Sequence, residues 1–273
     1  MLAGEIPGNH LRRRDSHRKG PGGIRAVLAA GLLLGACSGR GGAYQPASRQ
    51  GGDVLDLWRI LLAAGIAMGV LVLALILWSV LRYRRPRHAA PGDLPVQTRA
   101  NVALEVFYTV VPLVIVAVLF AITLRTEHRV NRLSAVPGVS VEVTGFQWGW
   151  RFRYPTQSVT VTGDANRPPT LVLPVGADVR LRLATNDVIH SFFVPAFLVK
   201  RDLIPGVDNQ IEVHPTRLGS FRGFCAEFCG LDHWRMSFDV EVVTPEAFQA
   251  FVDGQQPVAG QQGPVPGSPG GLG

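Results

Sequence analysis

The sequence predicts a two-helix transmembrane hairpin followed by an all-β domain, and three observations carry that prediction. Two apolar runs, Ile60 to Leu81 and Val106 to Leu124, hold 22 and 19 residues without a charge. From about Val139 the texture changes to short alternating segments punctuated by Gly, Pro, Asn and Asp. Charge sorts with these regions. Of a net +7 over 273 residues, residues 1–36 carry six basic and two acidic groups, and residues 37–125 carry nine and four. Residues 126–253 carry twelve basic and fourteen acidic groups. The basic excess therefore flanks the apolar runs, which is a membrane-topology signal, and the globular part is slightly acidic. That distribution argues against a nucleic-acid partner, which needs a basic patch on the folded domain.

Residues 1–36 read as a signal peptide. Arg12, Arg13, Arg14, Arg18, Lys19 and Arg25 precede an apolar stretch, Ala26 to Ala36, too short to span a bilayer. It ends Leu34-Gly35-Ala36-Cys37, which resembles the lipobox of bacterial lipoproteins, so Cys37 is the expected lipidation site after cleavage. An uncleaved leader with a free cysteine is the alternative. Residues 37–53, rich in glycine, read as a flexible tether.

Each apolar run is long enough, at about 1.5 Å per residue, to cross a hydrocarbon core of about 30 Å. Within the segment 54–130, helices are expected at about 58–82 and 104–125. Between them Arg82, Arg84, Arg85, Arg87 and Arg99 form a short basic loop, expected on the cytoplasmic side. Both flanks then lie outside, in agreement with export of the N-terminus. Arg125, Arg129 and Arg132 weaken this bias without reversing it.

The β domain is expected over 131–253. Val179-Arg180-Leu181-Arg182-Leu183 alternates as a half-buried strand should. Val139 to Val143, Ser158 to Thr162, Ile211 to Val213 and Met236 to Val243 look similar, with turn clusters at 163–169, 174–178 and 205–209. Many short strands with such punctuation suggest a sandwich or barrel with Greek-key pairing. The Gly-, Pro- and Gln-rich segment 254–273 reads as disordered.

Chemistry concentrates in Cys225-Ala226-Glu227-Phe228-Cys229-Gly230-Leu231-Asp232-His233-Trp234-Arg235-Met236, with His190 upstream in His190-Ser191-Phe192-Phe193-Val194-Pro195. Two thiols, an imidazole and a thioether in twelve residues suit a soft metal, redox copper first. Spacing alone leaves a structural zinc site and a Cys225–Cys229 disulfide open. A single-copper site would leave one cysteine without a use.

The pattern Cys-x-Glu-x-Cys-x-x-x-His-x-x-Met with an upstream His-Ser-Phe-x-x-Pro resembles the binuclear copper motif of cytochrome c oxidase subunit II. The likeness runs from about residue 54 to 253. It includes Leu104-Glu105-Val106-Phe107-Tyr108-Thr109-Val110-Val111-Pro112, Phe146-Gln147-Trp148-Gly149-Trp150 and Lys200-x-Asp202-x-Ile204-Pro205-Gly206. The resemblance implies a cupredoxin-like Greek-key domain on the outer face of a bacterial cell membrane. It also implies a copper A centre of two ions bridged by Cys225 and Cys229. His190 and Met236 would complete one ion; His233 and the backbone carbonyl of Glu227 would complete the other. The Glu227 side chain would bind magnesium or manganese at the interface with subunit I, where a solvated carboxylate is the plain alternative. Trp148 would receive electrons from cytochrome c, and Trp150 would be a packed aromatic. Glu105 would open a proton-uptake route, although an acid at a helix N-terminus is also ordinary dipole compensation. The implied partners are oxidase subunits I and III, cytochrome c and the bilayer. The implied activity, electron transfer to the heme of subunit I for dioxygen reduction coupled to proton translocation, belongs to the complex and not to this chain alone.

Overall fold

The computed structural model describes residues 44–84 and 100–254. The signal segment, Cys37, the loop arginines Arg85, Arg87 and Arg99, and the tail from 255 lie outside the described residues.

Two helices come first, α1 (Arg49–Arg82) and α2 (Val102–Val130), and their most apolar stretches are wholly exposed. At 1.5 Å per residue α1 is about 51 Å long, well beyond a hydrocarbon core of about 30 Å. The Arg129–Asp53 ion pair, 3.7 Å, joins the end of α2 to the start of α1, so the helices run antiparallel.

Both helices outrun their expected limits. The helix expected at about 58 starts at Arg49, because Ser48 caps it by accepting from the Gly51 amide at 3.0 Å. The described part of the expected tether is docked. The Ala47 amide donates to the Ala196 carbonyl at 2.7 Å, the Ser48 hydroxyl to the Phe197 carbonyl at 3.0 Å, and the Arg49 amide to the His214 carbonyl at 2.9 Å. A glycine-rich composition was a poor guide here because Gly51 is needed for close approach: a Cβ there would lie 2.8 Å from the Phe197 carbonyl oxygen. Asn101 caps α2. Its last turn continues past the apolar run through charged residues, which belong at the membrane surface rather than within it.

Ten strands follow: β1 (Val139–Phe146), β2 (Gly149–Tyr154), β3 (Val159–Asp164), β4 (Thr170–Pro174), β5 (Val179–Thr185), β6 (His190–Val194), β7 (Val199–Leu203), β8 (Asn209–Val213), β9 (Gly219–Cys225) and β10 (Ser237–Val243). They form two five-stranded sheets in the orders β3-β2-β1-β5-β8 and β4-β10-β9-β6-β7. The chain crosses between sheets after β3, β4, β5, β7 and β8, as Greek-key pairing requires. The sheets are mixed, with β1–β5 and β4–β10 parallel. Alternation along β1 and β10 puts Val141, Val143, Phe238 and Val240 inward. Trp150, Phe152, Phe192 and Phe238 fill the centre with centroid distances of 4.9–6.2 Å. Such aromatic pairs add about 0.5–1.5 kcal/mol each beyond burial.

One helix accompanies the β domain expected over 131–253. Helix α3 (Pro245–Val252) closes the domain. Thr244 caps it, Pro245 occupies its first turn, and Phe248 and Phe251 pack on Tyr154.

Candidate metal centre

Strand pairing alone gathers the soft donors at one end of the sandwich. β6 and β9 run antiparallel with Phe192 opposite Cys225, so His190 at the start of β6 lies beside the end of β9. β9 then turns back into β10 through residues 226–236, and that turn carries Glu227, Cys229, His233 and Met236. The turn is held at both ends, by the Cys225 amide donating to the Met236 carbonyl at 2.8 Å and the Ala226 amide donating to the Ser191 carbonyl at 3.1 Å.

The two thiol sulfurs stand 3.9 Å apart, close but well beyond a bonded disulfide of about 2.05 Å. Cys225 Sγ has His190 Nδ1 at 3.8 Å and the Glu227 carbonyl oxygen at 3.2 Å. Cys229 Sγ has His233 Nδ1 at 3.5 Å and Met236 Sδ at 3.6 Å. His190, Cys225, Cys229 and Met236 are buried, and His233 is half-buried. Ligand atoms of His190, Cys225 and Cys229 all lie within 4.8 Å of one another, so the cluster can hold a metal ion.

Burial pushes the Cys225 thiol up, but the His190 ring and nearby backbone outweigh it and bring it down to about 7. Burial, followed by the Cys225 charge, pushes Cys229 up to about 12. Ionising one sulfur therefore disfavours ionising the other. A bound cation would favour the thiolate form of both.

Neighbouring groups orient the donors. Asp187 Oδ1 lies 2.9 Å from His190 Nε2, leaving Nδ1 turned to the thiols. Gly145 on β1 faces the His190 ring, where a Cβ would stand 3.1 Å away. Trp150 is fully buried, its indole N–H directed at the Met236 carbonyl at 3.5 Å. Trp148 is half-buried and donates from Nε1 to the Cys229 carbonyl at 3.2 Å, while the Gln147 side-chain amide donates to the same oxygen at 2.7 Å.

The remaining expected site residues lie elsewhere. The exposed Glu227 carboxylate meets Lys200 Nζ at 3.4 Å, and Lys200 lies 3.6 Å from Asp202. Glu105 stands in the first turn of α2, at the end of the hairpin remote from the sandwich. Cys37 lies outside the described residues. Asp187 and Gly145 went unremarked in the sequence, and Gln147 was quoted without a role. An acid three residues before His190 was the one local signal available for Asp187.

Residues 165–243 match the family model described as cytochrome C oxidase subunit II, periplasmic domain. A probable cytochrome c oxidase subunit 2 of Streptomyces avermitilis is 40% identical, covering 93% of this chain and 92% of its own length. The corresponding protein of Streptomyces coelicolor gives the same figures. Cytochrome c oxidase subunit 2 of Mycobacterium tuberculosis is 31% identical over 76% of this chain and 72% of its own. Among solved structures, the periplasmic domain of subunit II of cytochrome oxidase from Bradyrhizobium japonicum is 31% identical, covering 45% of this chain and 96% of that one, with a TM-score of 0.41.

Proposed function

This chain belongs to the cytochrome c oxidase subunit II family, and on that premise we propose that it holds a two-copper centre passing electrons from a c-type cytochrome to subunit I. Its relatives are subunits of cytochrome c oxidase. The chain is a membrane protein with two long apolar helices and an extracytoplasmic β domain.

The observation that carries the proposal is how the donors sort around the two sulfurs. His190 contacts Cys225 and Met236 contacts Cys229. The Glu227 carbonyl contacts Cys225 and His233 contacts Cys229. Each pair thus offers one donor beside each sulfur, which fits two ions sharing both thiolates. A single tetrahedral zinc ion would use four N/S ligands and leave the thioether and carbonyl without a purpose.

Copper, when bound, supplies reversible one-electron chemistry. The chain's own residues supply the rest. Cys225 and Cys229 would hold the ions as thiolates, and His190, His233, Met236 and the Glu227 carbonyl would complete their ligand set. Antiparallel strands fix their spacing, so little rearrangement accompanies a change of charge, and burial excludes water. Trp148, half-buried, donates to the ligand loop at the Cys229 carbonyl and is the residue we assign to electron input.

Glu227 is assigned a second task, as one oxygen ligand of a magnesium or manganese ion shared with subunit I. Octahedral magnesium takes about six oxygen ligands, so this side chain alone cannot hold one, and Lys200 would have to release it. Glu105 is assigned to proton uptake, and Cys37 to lipid attachment. Subunit III completes the proposed assembly.

Metal analysis of the purified intact complex tests the centre. Two copper ions attributable to this chain are expected, after allowing for copper in subunit I. Zinc in the thiol site, or one copper there, would overturn the assignment.

A further inference from the structure

Gln147 has no role in the ligand set, yet it reaches the main chain of a ligand residue, the Cys229 carbonyl oxygen, and Gly230 follows that carbonyl in the chain. That oxygen has two lone pairs and two donors: the Gln147 side-chain amide at 2.7 Å and the Trp148 indole N–H at 3.2 Å. The Gln147 backbone amide also donates, at 2.7 Å, to Asp187 Oδ2, and the other oxygen of that carboxylate lies 2.9 Å from His190 Nε2. Gln147 therefore ties the turn between β1 and β2 to two different metal ligands.

Gly230 makes the approach available. Its φ of +120° lies in a region that L side chains rarely adopt. A Cβ there would stand 3.0 Å from Gln147 Nε2, 3.1 Å from Trp148 Cζ2 and 3.3 Å from Trp148 Nε1. An added Cβ would press on both donors, which would have to give by a few tenths of an ångström. On the far side, the Trp148 carbonyl accepts from the Ala165 amide at 2.9 Å, so the indole is braced from its own backbone as well.

We propose that Gln147 is a positioning residue. It holds the Cys229 carbonyl toward the indole, with Gly230 keeping the gap closed, so that Trp148 stays in hydrogen-bonded contact with the main chain of a thiolate ligand. The proposal rests on the assignment of Trp148 to electron input. The contact supplies a short connected path from indole N–H through the carbonyl to Cα, Cβ and Sγ of Cys229. One electron leaves the reduced donor, which is oxidised by one unit as the bound metal is reduced by one. Without Gln147 the carbonyl keeps only its longer bond to the indole, and the Cys229–Gly230 peptide is free to turn to solvent.

The test uses the intact oxidase carrying Gln147→Met, which keeps the size of the side chain and removes its donor, together with Gly230→Ala and Trp148→Phe. Ultraviolet resonance Raman of the resting complex reports indole N–H hydrogen bonding, and the Trp148 band is identified by difference against Trp148→Phe. Flash-initiated reduction by cytochrome c gives the input rate, and the copper spectrum shows whether the ligands are intact. Gln147→Met and Gly230→Ala are each expected to weaken the Trp148 indole hydrogen bond and to slow input roughly tenfold, with the copper spectrum kept, since small misplacements in an aligned site are costly. An unchanged Raman band and input rate in Gln147→Met would overturn the proposal. Normal input in Trp148→Phe would instead overturn the assignment of Trp148, while the Raman band still decides whether Gln147 positions the indole.

Discussion

At the scale of single residues, the centre depends on space as much as on ligands. Gly145 is buried against the His190 ring, and a methyl group at that position would meet three ring and Cβ atoms at 3.1–3.2 Å. Gly145→Ala is expected to lower stability by about 1–3 kcal/mol, the usual cost of overpacking a tight interior, and to reduce copper retention by displacing His190. Thermal unfolding and copper content check this; unchanged copper with unchanged stability would show that the ring has room to move. The donor cluster was legible in the sequence because five of its six positions lie within twelve residues, and His190 sits in its own recognisable run. Gln147 and Gly230 were not legible as a pair. They are 83 positions apart, and only the folded sandwich brings the β1–β2 turn onto the β9–β10 turn.

At the scale of elements, the alternating strands β1, β5 and β10 could be read from pattern, whereas β4, β6 and β9 could not. β4 is apolar without alternation, β6 is buried on both faces, and β9 opens on Gly219 and is interrupted by Gly223. Gly223 is forced: a Cβ there would lie 2.2 Å from the Phe238 ring. The junctions between helices and sandwich were also invisible, since their partners are remote in sequence. At the C-terminal side of α2, Ser134 donates through both its amide and its hydroxyl to the buried Glu212 carboxylate, which also pairs with Arg180 at 2.9 Å. Glu212→Ala leaves the partly exposed Arg180 without its counter-charge, a loss below the about 3–5 kcal/mol of fully buried pairs, and frees the linker. A fall in unfolding temperature of the intact chain is the expected reading, and an unchanged one would show that the linker is held by other means. At the N-terminal side, Asp178 bonds His214 at 2.8 Å and Arg49 at 2.9 Å. The His214 hydrogen bond, against the upward push of burial and with help from Arg49, holds its carboxyl below the ordinary range. Its folded pKa thus lies below the unfolded value of about 3.9. The stability it contributes is complete above that value and is lost as pH falls through the folded pKa.

At the scale of the whole molecule, both helices are joined to the sandwich at several points, beside β5, β6 and β8 and on β7. The N-cap of α1 is joined to residues 196–197 and 214–215, and the end of α2 is joined through Asn131 to Arg201 at 2.6 Å. Glu105 lies at the other extreme, about 25 residues and so roughly 38 Å along α2 from the sandwich. That separation predicts independence: Glu105→Gln should slow proton uptake during turnover of the intact complex and leave electron input and the copper spectrum unchanged. Proton uptake at the normal rate would reduce Glu105 to an ordinary helix-terminal acid. Electron paramagnetic resonance of the oxidised complex tests whether two metals share the thiolate pair. Hyperfine structure from one unpaired electron shared equally by two copper nuclei is expected, and a pattern from a single copper nucleus would rule the shared pair out.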